Sequence, residues 1–507
     1  MEVGGAASDA AITVMMNWTA KLKKEYRKIR KAQLPMTLTR RQFLFTSSAA
    51  AMQPPGGRLP NIVFILLDDA GWGDFGCYGQ KLIRTPNIDQ AAREGTRFTD
   101  CYAGGAVCAP SRSVLMTGLH TGHTPIRANA GTIPLLASDV TIAQVLKKAG
   151  YATGGFGKWG LGDVGSDGVP AKHGFDEFFG YLHQVHAHSY YPDFLWDNEK
   201  KFPLPGNKDG KGTQYSAGAI ADRSLEFLHK HAGGPFFLYA CTTLPHAKFE
   251  PPDLKPYETM PWTEGQKAYA AMVTRADAYV GRILNALRER GLEKDTLVFI
   301  TSDNGAPGGE DKGFELFRSN GILRGQKGQL YEGGIRDPMI VRWPGRVKAG
   351  AVSGYPWYFC DMMPTLAELV KATPPPSMDG VSVLPLLLGR PQPAREFLYW
   401  EANAWNAKAQ KFQPERLAQA VRNGDWKAIR AKAGAPLELY NLRNDPGESK
   451  DVAVGNPRCV DCHCFFLVPP FLQPVRQSRS GRANHERRGR YPFHVFPLRQ
   501  TAYGRTR

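Results

Sequence analysis

The chain has 507 residues, 42% of them hydrophobic, enough for one large core and a smaller one. Its formal net charge of +17 sits at the ends: residues 1–60 carry +7 and residues 458–507 carry +8, which leaves +2 on the body. A nucleic-acid face on the body is therefore not expected, no run approaches the roughly 18–20 apolar residues that span a bilayer, and eight scattered cysteines make no disulfide framework.

In chain order, residues 1–58 read as a basic extension and then an export signal. Arg40 and Arg41 precede a short, weakly apolar stretch rich in small residues, with Met36 as a natural start. That pattern resembles a twin-arginine signal peptide and implies a periplasmic or extracellular destination; an ordinary basic helix is the alternative. From Asn61 the pattern changes. Residues 62–67 are all apolar and rich in β-branched side chains, as in a buried parallel strand, and Asp68 and Asp69 follow where it ends. Leu297–Ile300 lead to Asp303 and Asn304 in the same way. Ligands of open α/β sheets bind beyond the carboxyl ends of the strands, so the two pairs offer three carboxylates and one amide oxygen to a common point. An all-oxygen set suits Ca²⁺ or Mg²⁺ better than zinc.

Between those strands lies YAGGAVCAPSRSVLMTGLHTG, from Tyr102 to Gly122. Pro110 fits the first turn of a helix, and Cys108 then stands at the positive end of its dipole, where exposed amides attract anions. Lys158 follows in GGFGKWGLG. His183, His186 and His188 crowd one segment, a spacing that also raises a zinc alternative. Tyr190, Tyr191 and Trp196 read equally as a stacking platform for a sugar or as a loop anchor. His246 lies in LPHAKFEPP and Lys327 in LRGQKGQL, on either side of a long amphipathic helix that Gly291 stops after Arg290. Alternating strand and helix patterns predict a mainly parallel sheet covered on both faces. Beyond residue 350 the texture shifts to short antiparallel strands and turns. The Arg- and Pro-rich residues 458–507 follow no period: a frameshifted end, or a basic interaction tail. Cys459, Cys462 and Cys464 lack the partner pair of a metal site.

From about Pro60 to Pro457 these motifs resemble the sulfatases, the formylglycine-dependent enzymes of arylsulfatase type within the alkaline-phosphatase superfamily. Cys108-Ala109-Pro110-Ser111-Arg112 is similar to their Cys/Ser-x-Pro-Ser/Ala-Arg core. The resemblance implies an α/β fold: an alkaline-phosphatase-like sandwich with a mainly parallel central sheet over residues 59–350, plus a smaller C-terminal α+β domain with an antiparallel sheet over 351–457. It implies that a formylglycine-generating enzyme oxidises Cys108 and that the hydrated aldehyde attacks a sulfate monoester, of a sulfated carbohydrate or small molecule. One calcium ion is implied on Asp68, Asp69, Cys108, Asp303 and Asn304. Arg112 and Lys158 are implied to orient the modified residue, and His246 and Lys327 to hold the sulfate and the leaving oxygen. One position departs from the pattern. Gly160 stands where the family motif Gly-Lys-Trp-His-Leu-Gly carries a histidine; His183, His186 and His188 are the candidate substitutes, with His183 or His186 favoured. The alternatives are a phosphonate or phosphate ester hydrolase on the same scaffold, and a degenerate sulfated-glycan binder.

Overall fold

The computed structural model describes residues 59–309, 313–457 and 459. The expectations for residues 1–58, for the tail beyond Cys459, and for Cys462 and Cys464 fall outside them.

Ile62 to Leu67 are fully buried and form most of strand β1 (Asn61–Leu67). An apolar run without alternation is what a strand covered on both faces needs. The further strands of the same sheet are β2 (Thr96–Tyr102), β3 (Ala152–Lys158), β4 (Glu177–Tyr181), β5 (Phe194–Asp197), β6 (Lys200–Pro203), β7 (Phe236–Cys241), β8 (Thr296–Ser302), β9 (Arg336–Arg342), β10 (Ala351–Ser353) and β11 (Trp357–Tyr358). They make an eleven-stranded sheet ordered β10-β2-β9-β8-β1-β7-β3-β4-β5-β6, with β11 beside β2. The middle five, β8-β1-β7-β3-β4, are all parallel; β9, β5 and β6 run antiparallel to their neighbours.

Helices cover both faces. Pro86–Glu94, Ser216–His231 and Glu264–Glu289 touch one another on the side where Val63, Ile65 and Leu67 point. Cys108–Thr117, Ile142–Lys148 and Met362–Leu369 touch one another on the other side, where Phe64 meets Phe359 edge-on. The sandwich and its parallel centre are those expected. The long helix ends as its sequence indicates: Gly291 takes a φ of +66° just past Arg290.

Strands β12 (Leu398–Ala402), β13 (Ala418–Asn423), β14 (Trp426–Arg430) and β15 (Glu438–Asn441) form a separate antiparallel sheet, joined in chain order. The β13–β14 hairpin turns in two residues, and Gly424 supplies the required left-handed conformation with a φ of +56°. This sheet is tied to the end of β2 by Trp400 Nε1, which donates to Ala103 O at 3.0 Å, and by Arg422, 2.9 Å from Asp100. Among the described residues, no helix is long and apolar enough to cross a membrane.

Candidate active site

The parallel centre puts the carboxyl ends of β1, β3, β4, β7 and β8 on one edge, and the candidate residues leave the sheet there. Register continues past the strands: Asp68 N donates to Leu244 O at 3.0 Å, and Asp303 N donates to Leu67 O at 3.0 Å. The loops after β1, β7 and β8 are thereby locked together. Asp69 has a φ of +69°, a left-handed conformation that aspartate tolerates better than most side chains. That bend turns two adjacent carboxylates toward the same space instead of opposite sides of a strand.

Cys108 is the first residue of the helix Cys108–Thr117, with Val107 extended before it. The Asn129 side chain accepts the Ala109 N–H at 2.8 Å, so a distant loop caps the helix start. The Cys108 Sγ lies 3.5 Å from Asp68 Oδ1. Four residues on, Arg112 reaches back with Nε and Nη2 2.9 and 2.8 Å from Asp303 Oδ2, and also meets the Lys158 carbonyl. Lys158 Nζ is 2.7 Å from Asp68 Oδ2, and Lys327 Nζ is 2.7 Å from Asp69. His246 Nε2 faces Asp69 at 3.6 Å while Nδ1 meets the Ala247 carbonyl. The Lys327 loop is pinned to the Cys108 loop by Gly328 N, which donates to Ala106 O at 2.8 Å.

Three carboxylates this close are held by cations. Burial would raise Asp68, but Lys158, His246, Arg112 and Lys327 more than reverse it and hold it below the usual range. Asp69 is also lowered: burial opposes, and Lys327 and His246 prevail. Asp303 is pushed up to about 6 by burial and by Asp68, despite Arg112. Burial pushes the Cys108 thiol up to about 12, Lys158 and Lys327 offsetting only part. As a thiol, this side chain is a poor nucleophile at neutral pH.

The oxygens fit a hard cation. Asn304 donates Nδ2 to Asp69 Oδ1 at 2.8 Å and to the Gly305 carbonyl at 3.0 Å, which leaves its buried Oδ1 with no hydrogen-bond partner. A buried amide oxygen left open beside three carboxylates matches calcium or magnesium chemistry. Asp68, Asp69, Cys108 and His246 also have ligand atoms within 4.8 Å of one another.

All nine site residues expected from sequence thus meet at one edge. The histidine segment divides. His186 packs against Tyr181 and Phe194, and His183 lies toward Gly131. His188 reaches the edge instead, its ring stacked on His246 at 4.7 Å between centroids. These three histidines do not converge as zinc ligands among the described residues. A second convergence, His120, His123 and Asp379, is a hydrogen-bonded tie: His123 Nδ1 lies 2.9 Å from both Asp379 oxygens, and His120 Nδ1 accepts from Gly122 N at 3.0 Å. Tyr190 is an anchor, fully buried with its hydroxyl on the Thr243 and His246 carbonyls at 2.6 and 2.9 Å. Asn129 carried no sequence signal, because it acts on a residue far away in the chain.

Residues 60–372 match the sulfatase family, and residues 325–461 match the family described as N-sulphoglucosamine sulphohydrolase, C-terminal. Arylsulfatase A of Bos taurus is 33% identical over 465 residues, covering 82% of this chain and 86% of that protein. N-acetylgalactosamine-6-sulfatase of Homo sapiens is 34% identical over 376 residues, covering 67% of each. Among solved structures, that of Ps i-CgsB in complex with k-i-k-neocarrahexaose is 29% identical with a TM-score of 0.70, over 81% of this chain and 92% of that one.

Proposed function

We propose a specific reaction for this chain, which belongs to the sulfatase family of the alkaline-phosphatase superfamily and is a sulfuric ester hydrolase: exported, calcium-dependent cleavage of a sulfated carbohydrate, with Cys108 converted to formylglycine. The observation that carries it is the convergence of Asp68, Asp69, Asp303 and the open Asn304 oxygen on the start of the Cys108 helix. Asp68, Asp69, Asp303, Asn304 and position 108 would hold one calcium ion, which supplies positive charge beside the sulfate oxygens. Formylglycine at position 108, made by a generating enzyme, supplies an oxygen nucleophile where the thiol is inert.

The remaining work belongs to the chain itself. Arg112 and Lys158 are fully buried and paired to Asp303 and Asp68, so they hold the start of the helix in place and offset the charge of the carboxylates. Lys327 and His246, on the loops after β8 and β7, flank Asp69 on the more open side, where the ester oxygen would leave. As the oxygen of position 108 bonds to sulfur and the ester S–O bond breaks, the electron pair of the broken bond goes to the alcohol oxygen; Lys327, or His246 once the bound anion raises it from the value of about 4 that burial sets, delivers the proton that completes the alcohol. Preorganised charge of this kind acts strongly because the groups that carry it are buried.

A carbohydrate substrate is supported by the saccharide names of the N-acetylgalactosamine-6-sulfatase and neocarrahexaose relatives. We place the catalytic domain at residues 59–350 and the small domain at 351–457, with β10 and β11 returning to edge the large sheet. The test is mass spectrometry of the Cys108 peptide together with rates on an aryl sulfate and on the matching phosphate and phosphonate esters. Loss of the thiol mass in favour of the aldehyde, with sulfate cleaved fastest, is expected. An unconverted Cys108 in fully active protein, or faster phosphonate cleavage, would overturn the proposal.

A further inference from the structure

Gly160 lacks a side chain, yet the space such a side chain would enter is filled. Gly160 has a φ of +75°, and a β-carbon on it would lie 2.4 Å from Gln184 Nε2 and 2.9 Å from Gln184 Cδ. The terminal amide of Gln184 thus ends where a side chain at position 160 would begin. The approach is built in by the sheet. Lys158 pairs with Tyr181 across β3 and β4, and the ladder continues outward: Trp159 N donates to Tyr181 O at 2.9 Å and Gly160 N to Leu182 O at 3.0 Å. Residues 182–184 therefore leave β4 on the same edge as Lys158, Asp68 and Cys108. Four residues on, His188 stacks on His246, which holds the other end of this segment at the site.

Gln184 is 6% exposed, and its buried Nε2 has no hydrogen-bond partner. Burying an amide N–H₂ without an acceptor forfeits its hydration with nothing in return. A buried donor left open at this strand end needs an acceptor brought by a ligand, and the sulfate ester of the proposed reaction carries such oxygens. An amide takes no proton at neutral pH, so this group serves as a donor and does not replace a base.

We propose that Gln184 is a substrate-binding residue whose Nε2 donates a hydrogen bond to a non-bridging oxygen of the bound sulfate group, taking the place of the side chain that position 160 lacks. The inference rests on the sulfatase reading and adds to it a recognition element from outside the motif segments. Gly160 and Gln184 then form one unit: the φ of +75° favours glycine at 160, and the amide tip occupies the space a side chain there would enter.

The test uses full-length protein bearing unconverted Cys108, with saturating calcium, titrated with sodium sulfate by calorimetry. Gln184→Met keeps the volume and removes the donor; Gln184→Glu keeps the shape and places an anion there. Thermal melts confirm that each variant is folded. A charge-assisted bond of about 1.5–3 kcal/mol corresponds to roughly 10–100-fold weaker sulfate binding in Gln184→Met. Gln184→Glu is expected to weaken binding further. Sulfate affinity unchanged in Gln184→Met and Gln184→Glu would overturn the inference, as would wild-type protein that binds no sulfate. The function reading is checked separately on converted wild-type enzyme: failure to release sulfate from any sulfate ester sinks that reading, while an active enzyme with unchanged variant affinities sinks the Gln184 assignment alone.

Discussion

Among the described residues, one cluster of buried charge lies at the carboxyl edge of the parallel sheet and another where the antiparallel sheet meets β2 and β9, and they are finished differently. In the second, Lys427 is fully buried with its Nζ 2.7 Å from Glu332 and 2.9 Å from Glu448. Glu332 also accepts from the Tyr102 hydroxyl at 2.6 Å and pairs with Arg336 at 3.2 Å, and its backbone N–H donates to Glu448 at 2.6 Å. Burial and then Lys427 decide the carboxyl states there. Burial opposes ionisation of Glu332, but Lys427 and Arg336 prevail and bring it to about 2. Burial pushes Glu448 up to about 7, with Lys427 opposing. At the first cluster, three carboxylates crowd together and the Asn304 oxygen and the Gln184 amide stay open. Apart from Glu448 Oε1, which has only its ion pair to Lys427 at 2.9 Å, the second network closes on itself; one with open donors and acceptors is shaped for something it binds.

The comparison is broken most sharply by activity. Cys108→Ala is expected to lower sulfate release on the order of 10⁴-fold, with an unchanged melting curve, since the position is small and starts a helix. Near-native turnover would remove the distinction between the clusters. The converse variant, Lys427→Met, leaves buried carboxylates short of a cation and should cost about 3–5 kcal/mol of stability in denaturant titrations. Its kcat/KM at low temperature should stay within about two-fold, and a selective loss of activity would show that this cluster also belongs to the site. Asp303→Asn should weaken calcium affinity on the order of 100-fold, read by calcium titration of the protein, because one of three converging carboxylates loses its charge. Unchanged affinity would remove Asp303 from the metal set.

The smallest effect is a pH dependence confined to the closed network. The folded Glu448 carboxyl, at about 7, lies above its ordinary 4.5. Its contribution to stability is therefore fully present below about pH 4.5 and is lost as pH rises through 7. Glu332 has the opposite sign, its contribution being lost only as pH falls toward 2. Between pH 5 and 8 the wild-type melting temperature should fall more than that of Glu448→Gln, a difference of about 2 kcal/mol. Parallel curves would show that Glu448 is ionised in the folded protein.

Much of the site was legible because its signals are local. The apolar run of β1 followed by Asp68 and Asp69, the matching end of β8, and the proline in the first turn after Cys108 each state their own geometry within about ten residues. The parallel sheet then brings those ends together by topology. Long-range relations were not legible. Nothing near Gln184 marks it as the filler of the Gly160 position, because the overlap exists only once β3 and β4 pair. The same holds for His188, whose neighbours His183 and His186 have equal standing in a sequence of three close histidines. The Glu332–Lys427 pair, 2.7 Å apart, joins β14 to the helical turn just before β9 and has no motif at all.

Which side chains stand at strand ends and helix starts can be read along the chain, since burial periodicity and turn chemistry are properties of short segments. Which polar groups close on one another and which stay open emerges only when the sheets assemble. That depends on where strands 20 or more residues apart place their ends, and a hydrogen bond exists only at a distance of about 3 Å.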